Sequence, residues 1–236
     1  MGEDHWFLDD MPILRPGQLE RYERGMFHIT GHGIDDMHCF GDRSDKLEFV
    51  ERFARVLSPE PVRDPVRREA FPNFRAEASL VAFCVLDNHY HLILRQFSAL
   101  GARRVMRSVL RSYVHWFNGK YARRNAPVFE RPFAARRIGS KLQGVRTLNY
   151  VHLNHENERE GYEFCSHDYY TGARAAPWVD TSSGLWFHDG SVERYLDSLF
   201  GEGVRALEDK IAARRPSARR KIPRGRPSHI AKPARP

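Results

Sequence analysis

The chain has 236 residues, of which 41% are hydrophobic, so it is long enough to bury a core and fits one large domain or one domain with an appendage. No apolar run approaches the roughly 18 residues that a membrane-spanning helix needs, and the acidic start has no signal-peptide pattern. The three cysteines are odd in number and widely spaced, which argues against a disulfide framework or a cysteine metal site. These features predict a cytoplasmic protein with no membrane partner.

The net charge of +8 is unevenly distributed along the chain. Residues 211–236 carry nine Lys and Arg and no acidic residue, and subtracting these nine charges leaves −1 for the rest of the chain. Residues 101–146 hold twelve Lys and Arg against Glu130 alone. This pattern predicts two surfaces that could bind a polyanion. A solvated helix face and a disordered tail are the alternative interpretation.

Local patterns predict the first elements of secondary structure. Residues 26–30 are β-prone and indicate a first strand. Three histidines lie near it with loose spacing: His28, His32 and His38. A structural role is favoured for His32, with a DNA contact as the alternative. Ser44 predicts the N-cap of a first helix. Apolar runs at about 78–86 and 89–96, separated by a turn, predict two adjacent strands.

The second half of the pattern is mostly helical. A long helix is predicted from Ser98 to about Lys120, with an apolar stripe toward the core and a basic side outward. Four arginines form that basic side: Arg103, Arg104, Arg107 and Arg111. Residues 134–139 predict an edge strand, and a third helix is expected from about Ser140 to Asn157.

This order of elements predicts an α+β fold, a ferredoxin-like sandwich with a mostly antiparallel sheet and helices packed on it. Residues 1–20 are expected to be irregular and residues 21–160 to form the main domain. An irregular and helical C-terminal extension is predicted at 161–211, with a last helix that begins after Ser191. The composition of residues 212–236 predicts a disordered basic tail.

Two histidines, His89 and His91, open the second central strand. Side chains at positions i and i+2 of a strand leave the same face about 6.5–7 Å apart, so both imidazoles can converge on one metal ion. The alternative is that they are ordinary polar residues at the end of a strand.

Tyr150 and Asn154 are four residues apart on the third predicted helix and therefore share one face. A phenol with a pKa of about 10 is a poor nucleophile, but it becomes workable beside a divalent cation that polarises and orients a phosphoryl group. The amide oxygen of Asn154 could complete a metal shell with the two imidazoles. A half-buried helix tyrosine with one hydrogen bond is the alternative.

Two blocks about 60 residues apart, His89-Tyr90-His91-Leu92 and Leu148-Asn149-Tyr150-Val151-His152-Leu153-Asn154, resemble those of the single-tyrosine HUH transposases. The resemblance is greatest to the REP-associated tyrosine transposases. The chain departs from that pattern at three positions. Tyr90 replaces an aliphatic residue, although its ring can fill the same apolar slot. Asp87 and His155 each stand where the family commonly has proline.

The resemblance implies a single-stranded DNA transesterase that acts on hairpin-containing, REP-like repeats in the cytoplasm, in association with the nucleoid. Tyr150 would be the nucleophile and would form a 5′-phosphotyrosine intermediate. His89, His91 and Asn154 would hold Mg²⁺ or Mn²⁺, although imidazoles alone would equally suit Zn²⁺ or Ni²⁺. Whether the protein acts as a monomer or a homodimer is left open by the sequence.

Basic residues outside these blocks are candidate DNA contacts. Arg131 resembles the family's arginine in an Arg-aromatic pair and could contact a hairpin phosphate, with a plain surface ion pair as the alternative. The four arginines of the long helix would position DNA through phosphates without reading sequence. In the tail, residues 223–227 resemble an AT-hook core whose Arg224 and Arg226 would reach along a minor groove. A generic basic tail is the alternative.

Two other functions compete with the enzyme hypothesis. One is a DNA hairpin-binding protein that keeps the fold without catalysis. The other is a metal-binding protein of different purpose, in which the two histidines are structural.

Overall fold

The structure is a computed structural model that describes residues 12–154 and 162–200. Several features of the sequence analysis fall on residues outside this range: the basic tail with Arg224 and Arg226, the replacement of proline by His155, the first part of the irregular segment, the end of the third helix near Asn157, and any helix beyond residue 200. Within the described range, no helix combines the length and the apolar character that crossing a membrane requires.

A four-stranded antiparallel sheet lies at the centre of the fold. Its strands are β1 (Gly25–His32), β2 (Ala78–Val85), β3 (His89–Gln96) and β4 (Ala134–Ile138). They are arranged in the order β2-β3-β1-β4, and every neighbouring pair is antiparallel. One helix connects β1 to β2 and another connects β3 to β4, which is the ferredoxin-like split βαβ arrangement. The predicted α+β class and antiparallel sheet are confirmed.

The first face of the sheet packs against α1 (Arg43–Leu57) and α2 (Gly101–Lys120). Phe27 and Ile29 of β1 and Leu92 of β3 point into this layer and are fully buried. The helix α2 contributes the predicted apolar stripe, of which six residues are buried: Val105, Met106, Val109, Leu110, Tyr113 and Phe117. The prediction that α2 turns its apolar side to the core is therefore confirmed.

The second face of the sheet packs against α3 (Lys141–Leu153) and the C-terminal helices α4 (His167–Thr171), α5 (Thr181–Leu185) and α6 (Val192–Phe200). Val81 of β2 and Ile93 of β3 meet Val151 of α3 there, with Tyr195 and Leu199 of α6 in the same cluster. The C-terminal extension therefore helps to bury the second face. The predicted boundary between domain and extension at residue 160 stays a prediction.

Two predicted helix starts are wrong, and one segment expected to be irregular contains a helix. The first helix is capped by Asp42, not Ser44, because the Asp42 carboxylate accepts a hydrogen bond from the backbone N–H of Asp45. The helix α2 begins at Gly101, three residues later than predicted. The segment expected to be irregular contains a 3-10 helix, Pro16–Arg21, because proline tolerates the first position of a helix.

Tyr90, between the two histidines, fills the apolar slot as expected. Its ring is fully buried and packs edge-to-face or tilted against Phe49 and Phe129. It lies opposite Gly31 of β1, where an added Cβ would come within 2.4 Å of the Tyr90 hydroxyl oxygen. The large residue in β3 is therefore accommodated by the small residue across from it.

This pairing predicts that Gly31→Ala lowers the free energy of unfolding by about 1–3 kcal/mol, through overpacking. Adding Tyr90→Ile should recover part of that loss, because the two changes share one space and their effects are not additive. Urea unfolding of the single and double variants measures the coupling. Gly119→Ala is the control and should cause no loss, since nothing lies within 4 Å of its added Cβ. Strictly additive effects would contradict the pairing.

Candidate active site

The pairing of β1 with β3 gathers four histidines on the second face of the sheet. His32 lies opposite His89, and their rings stack with centroids 5.1 Å apart. Nε2 of His28 lies 3.1 Å from Nδ1 of His91, and both of these side chains are buried. The sequence analysis expected only the pair on β3 to bind a metal and favoured a structural role for His32. The predicted strand 26–30 contains His28 but not His32, and local patterns do not give the strand register that places both residues here.

The helix α3 places Tyr150 on this cluster. The ring centroid of Tyr150 lies 5.0 Å from that of His91 and 5.9 Å from that of His28, in edge-to-face contacts. Tyr150 is half-buried. The predicted nucleophile and the predicted metal-binding histidines therefore meet within one chain.

Asn154, the C-cap residue of α3, reaches His89. Its Oδ1 lies 3.4 Å from Nε2 of His89, while Nδ1 of that histidine lies 2.7 Å from Oδ1 of Asn88. If Nδ1 of His89 donates to the Asn88 oxygen and the ring is neutral, Nε2 of His89 carries a lone pair. In that tautomer a cation could be held between Nε2 and the Asn154 oxygen, whereas a protonated Nε2 would donate to that oxygen directly.

The distance between Nε2 of His89 and Oδ1 of Asn154 is compatible with two ligands of one divalent ion. Ligand atoms about 2.1 Å from one ion, at angles between 90° and 109°, are about 3.0–3.4 Å apart. The observed 3.4 Å between His89 and Asn154 lies within that span, and the ring centroids of His89 and His91 are 5.1 Å apart. Within residues 12–154 and 162–200, no group of three or more His, Cys, Asp or Glu is arranged to hold a metal. The set expected from the sequence, two imidazoles and one amide oxygen, stays a prediction.

The direction of the contact between His28 and His91 determines which nitrogen of His91 is available. If Nδ1 of His91 donates to Nε2 of His28, Nε2 of His91 keeps a lone pair that a metal could use. In the opposite arrangement, Nε2 of the neutral His91 carries the proton and cannot ligate. His28 is therefore placed to orient a metal ligand from behind, a role that carboxylates and carbonyls commonly take in metal sites.

A buried polar network fixes α3 in place. His152, also on α3, lies with Nε2 2.7 Å from Oγ of Ser166 and Nδ1 2.7 Å from the hydroxyl of Tyr195. Ser166 in turn accepts a hydrogen bond from the backbone N–H of Phe83 in β2. The Tyr195 hydroxyl also lies 2.6 Å from Nδ1 of His167. This network joins α3 to the sheet and to α6, and so holds the helix that carries Tyr150 and Asn154.

Burial sets several other tyrosines apart from Tyr150. Desolvation raises the pKa of Tyr90, Tyr113, Tyr170 and Tyr195 above the ordinary value, which keeps these phenols neutral. The hydroxyl of Tyr113 donates to the Cys39 carbonyl, and that of Tyr170 donates to the Val81 carbonyl. These four are structural residues of the two cores.

Two arginines lie beside the histidine cluster. Arg136 of β4 is paired with His28 in the strand register, so its side chain leaves the same face of the sheet, and it is half-buried. Arg131 is exposed and follows Glu130, whose N–H donates to the carbonyl of His32. The backbone next to the predicted residue Arg131 is thus bonded to β1 at His32, and a DNA contact by Arg131 stays a prediction. Arg136, counted only within the basic block, is a neighbour that the sequence hypothesis did not single out.

The four arginines of α2 do not lie near Tyr150. They belong to the helix on the first face of the sheet, whereas Tyr150 and the histidines occupy the second face. Arg103 pairs with Glu20, and Arg104 pairs with Glu77 with a 2.6 Å contact. Arg107 and Arg111 are exposed. A role for this surface in DNA binding stays a prediction, and it would be a contact remote from the scissile phosphate.

Comparisons with known proteins return one structural likeness. No protein-family model matches the chain, and no curated protein matches it. Among solved structures, the chain is similar to a REP-associated tyrosine transposase bound to a REP hairpin, with a TM-score of 0.46 and 13% sequence identity. That match covers 69% of this chain and 92% of the other.

The network around His152 predicts that Tyr195→Phe lowers the free energy of unfolding by about 1–3 kcal/mol, since His152 loses a buried hydrogen bond. Urea unfolding followed by circular dichroism measures this difference. Tyr169→Phe is the matched control, because its hydroxyl makes no hydrogen bond within the described part of the chain. Equal losses for the two variants would show that the network contributes nothing specific.

Proposed function

We propose that this protein is a metal-dependent single-stranded DNA transesterase of the transposase type, which nicks and rejoins hairpin-containing DNA. The observation that carries the proposal is the convergence of Tyr150, His91, His89 and Asn154 in one place. These residues come from two blocks about 60 positions apart that resemble those of single-tyrosine HUH transposases. A tyrosine beside a pair of metal-binding imidazoles suits nucleophilic attack on a phosphodiester.

The proposed reaction conserves the number of phosphoester bonds. The phenolic oxygen of Tyr150 attacks the scissile phosphorus and loses its proton, while the bond from phosphorus to the 3′ oxygen breaks. The 3′ oxygen takes up a proton and leaves as a hydroxyl, and the 5′ phosphate stays joined to Tyr150. Attack by this 3′-hydroxyl, or by one from another strand, reverses these changes, so no external energy source is needed.

Nε2 of His89, Oδ1 of Asn154 and the imidazole of His91 would hold the ion, which we propose to be Mg²⁺ or Mn²⁺. Such an ion, when bound, supplies polarisation and orientation of the phosphoryl oxygens. His28 would keep His91 in the tautomer that can bind the ion. The choice of Mg²⁺ or Mn²⁺ rests on the family resemblance, because imidazoles suit other divalent metals equally well.

The proposed partner is a single-stranded DNA with a hairpin, as the resemblance implies, in a cytoplasmic and nucleoid-associated setting. Arg136 and Arg131 support this proposal, because Arg136 leaves the same face of the sheet as His28, and Arg131 follows the residue whose N–H donates to the His32 carbonyl. Guanidinium groups bind phosphates through paired N–H donors, so both residues are suited to positioning a DNA backbone. The alternative is a hairpin-binding protein without catalysis, which the experiment below separates.

Wild-type protein incubated with Mn²⁺ and an end-labelled single-stranded hairpin oligonucleotide should form a covalent adduct that survives denaturing electrophoresis. Tyr150→Phe should form none, because it keeps the ring but lacks the attacking oxygen. Removing the metal with a chelator should abolish the adduct formed by wild-type protein.

Tyr169→Phe is the control for this experiment and should form the adduct at the wild-type level. Hairpin binding without any adduct, with Mg²⁺, Mn²⁺ and other divalent metals tried in turn, would replace the enzyme with a binding protein. An adduct that persists in Tyr150→Phe would mean that another residue is the nucleophile.

The position of His28 predicts a second effect, on metal affinity rather than on folding. His28→Ala should weaken Mn²⁺ binding, measured by isothermal titration calorimetry, by about 10- to 100-fold, because His91 loses the acceptor that orients it. His28→Gln supplies a side-chain carbonyl and should recover part of the affinity. His38→Ala, at an exposed position outside the cluster, is the control and should bind as wild type does. Unchanged affinity in His28→Ala would remove His28 from the metal site.

A further inference from the structure

A groove with a volume of about 460 Å³ opens on the second face of the sheet, near the end of β3 away from the histidines. Six of its lining residues matter for what it could bind: Arg24, Met26, Arg95, Phe97, Ser183 and Trp186. They come from β1 and β3, from the residues directly before β1 (Arg24) and after β3 (Phe97), and from the C-terminal extension. We call this feature the Trp186 groove.

Positive charge in the Trp186 groove is held in a fixed position. Arg95 is exposed, donates a 2.7 Å hydrogen bond to Oγ of Ser183, and lies 5.2 Å from the centroid of the Phe97 ring. Ser183 is buried and donates to Asp180, whose carboxylate also accepts from Ser79 and Ser182. The carboxylate of Asp180 thus accepts hydrogen bonds from three serine hydroxyls. Arg24, also exposed, adds a second guanidinium to the lining.

The groove also presents an aromatic surface to solvent. The Trp186 side chain is 59% exposed, which is unusual for so large an apolar group. The ammonium of Lys141 lies 5.8 Å from the centroid of its ring and is ion-paired with Asp189. An exposed aromatic ring among arginines is the combination that binds single-stranded nucleic acid, by stacking a base and contacting its phosphates.

The distance from the Trp186 groove to Tyr150 can be estimated along one strand and along one helix. Arg95 follows His91 by four residues on the same face of β3, which spans about 13 Å at the rise of an antiparallel strand. Lys141, beside Trp186, precedes Tyr150 by nine residues on α3, which spans about 13–14 Å at the rise of a helix. About 13 Å corresponds to about four nucleotides at the 3.4 Å spacing within a duplex strand, and to fewer in an extended strand.

We propose that the Trp186 groove binds the single-stranded flank of the DNA substrate, with one base stacked on Trp186 and neighbouring phosphates on Arg24 and Arg95. This inference rests on the proposed function, because it assigns the groove to the same DNA strand that Tyr150 would attack. The stacked base would lie within about four nucleotides of the scissile phosphate. Contact through ring stacking and phosphates is tolerant of sequence, since every base has a π-face.

The test compares two labelled strands in the Tyr150→Phe background, which cannot form the proposed adduct. One strand is a thymidine 12-mer, and the other is an abasic 12-mer with the same phosphates and no bases. Fluorescence anisotropy gives the Kd of each strand, and the ratio of the two values isolates the contribution of the bases. Thermal melting of every variant verifies that it is folded.

Trp186→Ala should weaken binding of the thymidine strand by about 5- to 100-fold and leave binding of the abasic strand nearly unchanged. Trp186→Tyr should recover most of the loss, because it restores a ring. Arg24→Gln should weaken both strands equally and lower the slope of log K against log salt by about one. Phe200→Ala, which removes another exposed aromatic side chain, should change neither strand.

Unchanged binding of both strands by Trp186→Ala would overturn the groove proposal, as would an equal loss for both strands. Adduct formation with the hairpin oligonucleotide tests the proposed function separately, because Trp186 is not part of the catalytic set. An adduct in a Trp186→Ala variant that binds both strands normally would retain the transesterase and remove the groove. Loss of thymidine-strand binding in that variant, with no adduct from wild type, would retain the groove and remove the enzyme.

Discussion

The antiparallel register between β1 and β3 is the constraint on which both the core and the candidate site depend. It sets His32 against His89 and Thr30 against His91, so that the polar residues of both strands leave one face. The intervening residues, such as Phe27 and Leu92, leave the other face and are fully buried. A slip of one residue would move every side chain to the opposite face and bury imidazoles in an apolar layer. The energy of the core therefore maintains the geometry of the histidine cluster.

The candidate site also depends on the position of α3, which the sheet alone does not determine. This helix has apolar contacts with the second face, but its buried polar contacts go through His152 to Ser166 and Tyr195. Asn149 adds a bond to the Ser198 carbonyl. Hydrogen bonds are directional, so this set specifies one placement of the helix where apolar packing would tolerate several. The C-terminal extension, which provides three of these partners, is thus part of the support of the site.

The sequence predicted the parts of this structure that depend on local patterns. Strand alternation placed His89 and His91 on one face, and helical spacing placed Tyr150 with Asn154. Contacts between distant residues were not predictable in the same way. His28 joins the cluster through the register of β1 with β3, and Tyr195 reaches His152 across 43 positions. Periodicity also showed that the arginines of α2 face outward, but not which face of the sheet the helix covers. Because α2 covers the first face, Arg107 and Arg111 lie on the opposite side of the sheet from Tyr150.

The anchoring of α3 bears on how the proposed intermediate would be resolved. A DNA end joined to Tyr150 would be held by a helix that is fixed at several buried points, beside the same histidines that were present during cleavage. The DNA end that is covalently joined to Tyr150 would then remain at the site, while the strand with the free 3′-hydroxyl would be held only by noncovalent contacts. Resealing would then compete with strand exchange through the departure of that one strand, so its residence time would bear on the choice between repair and rearrangement.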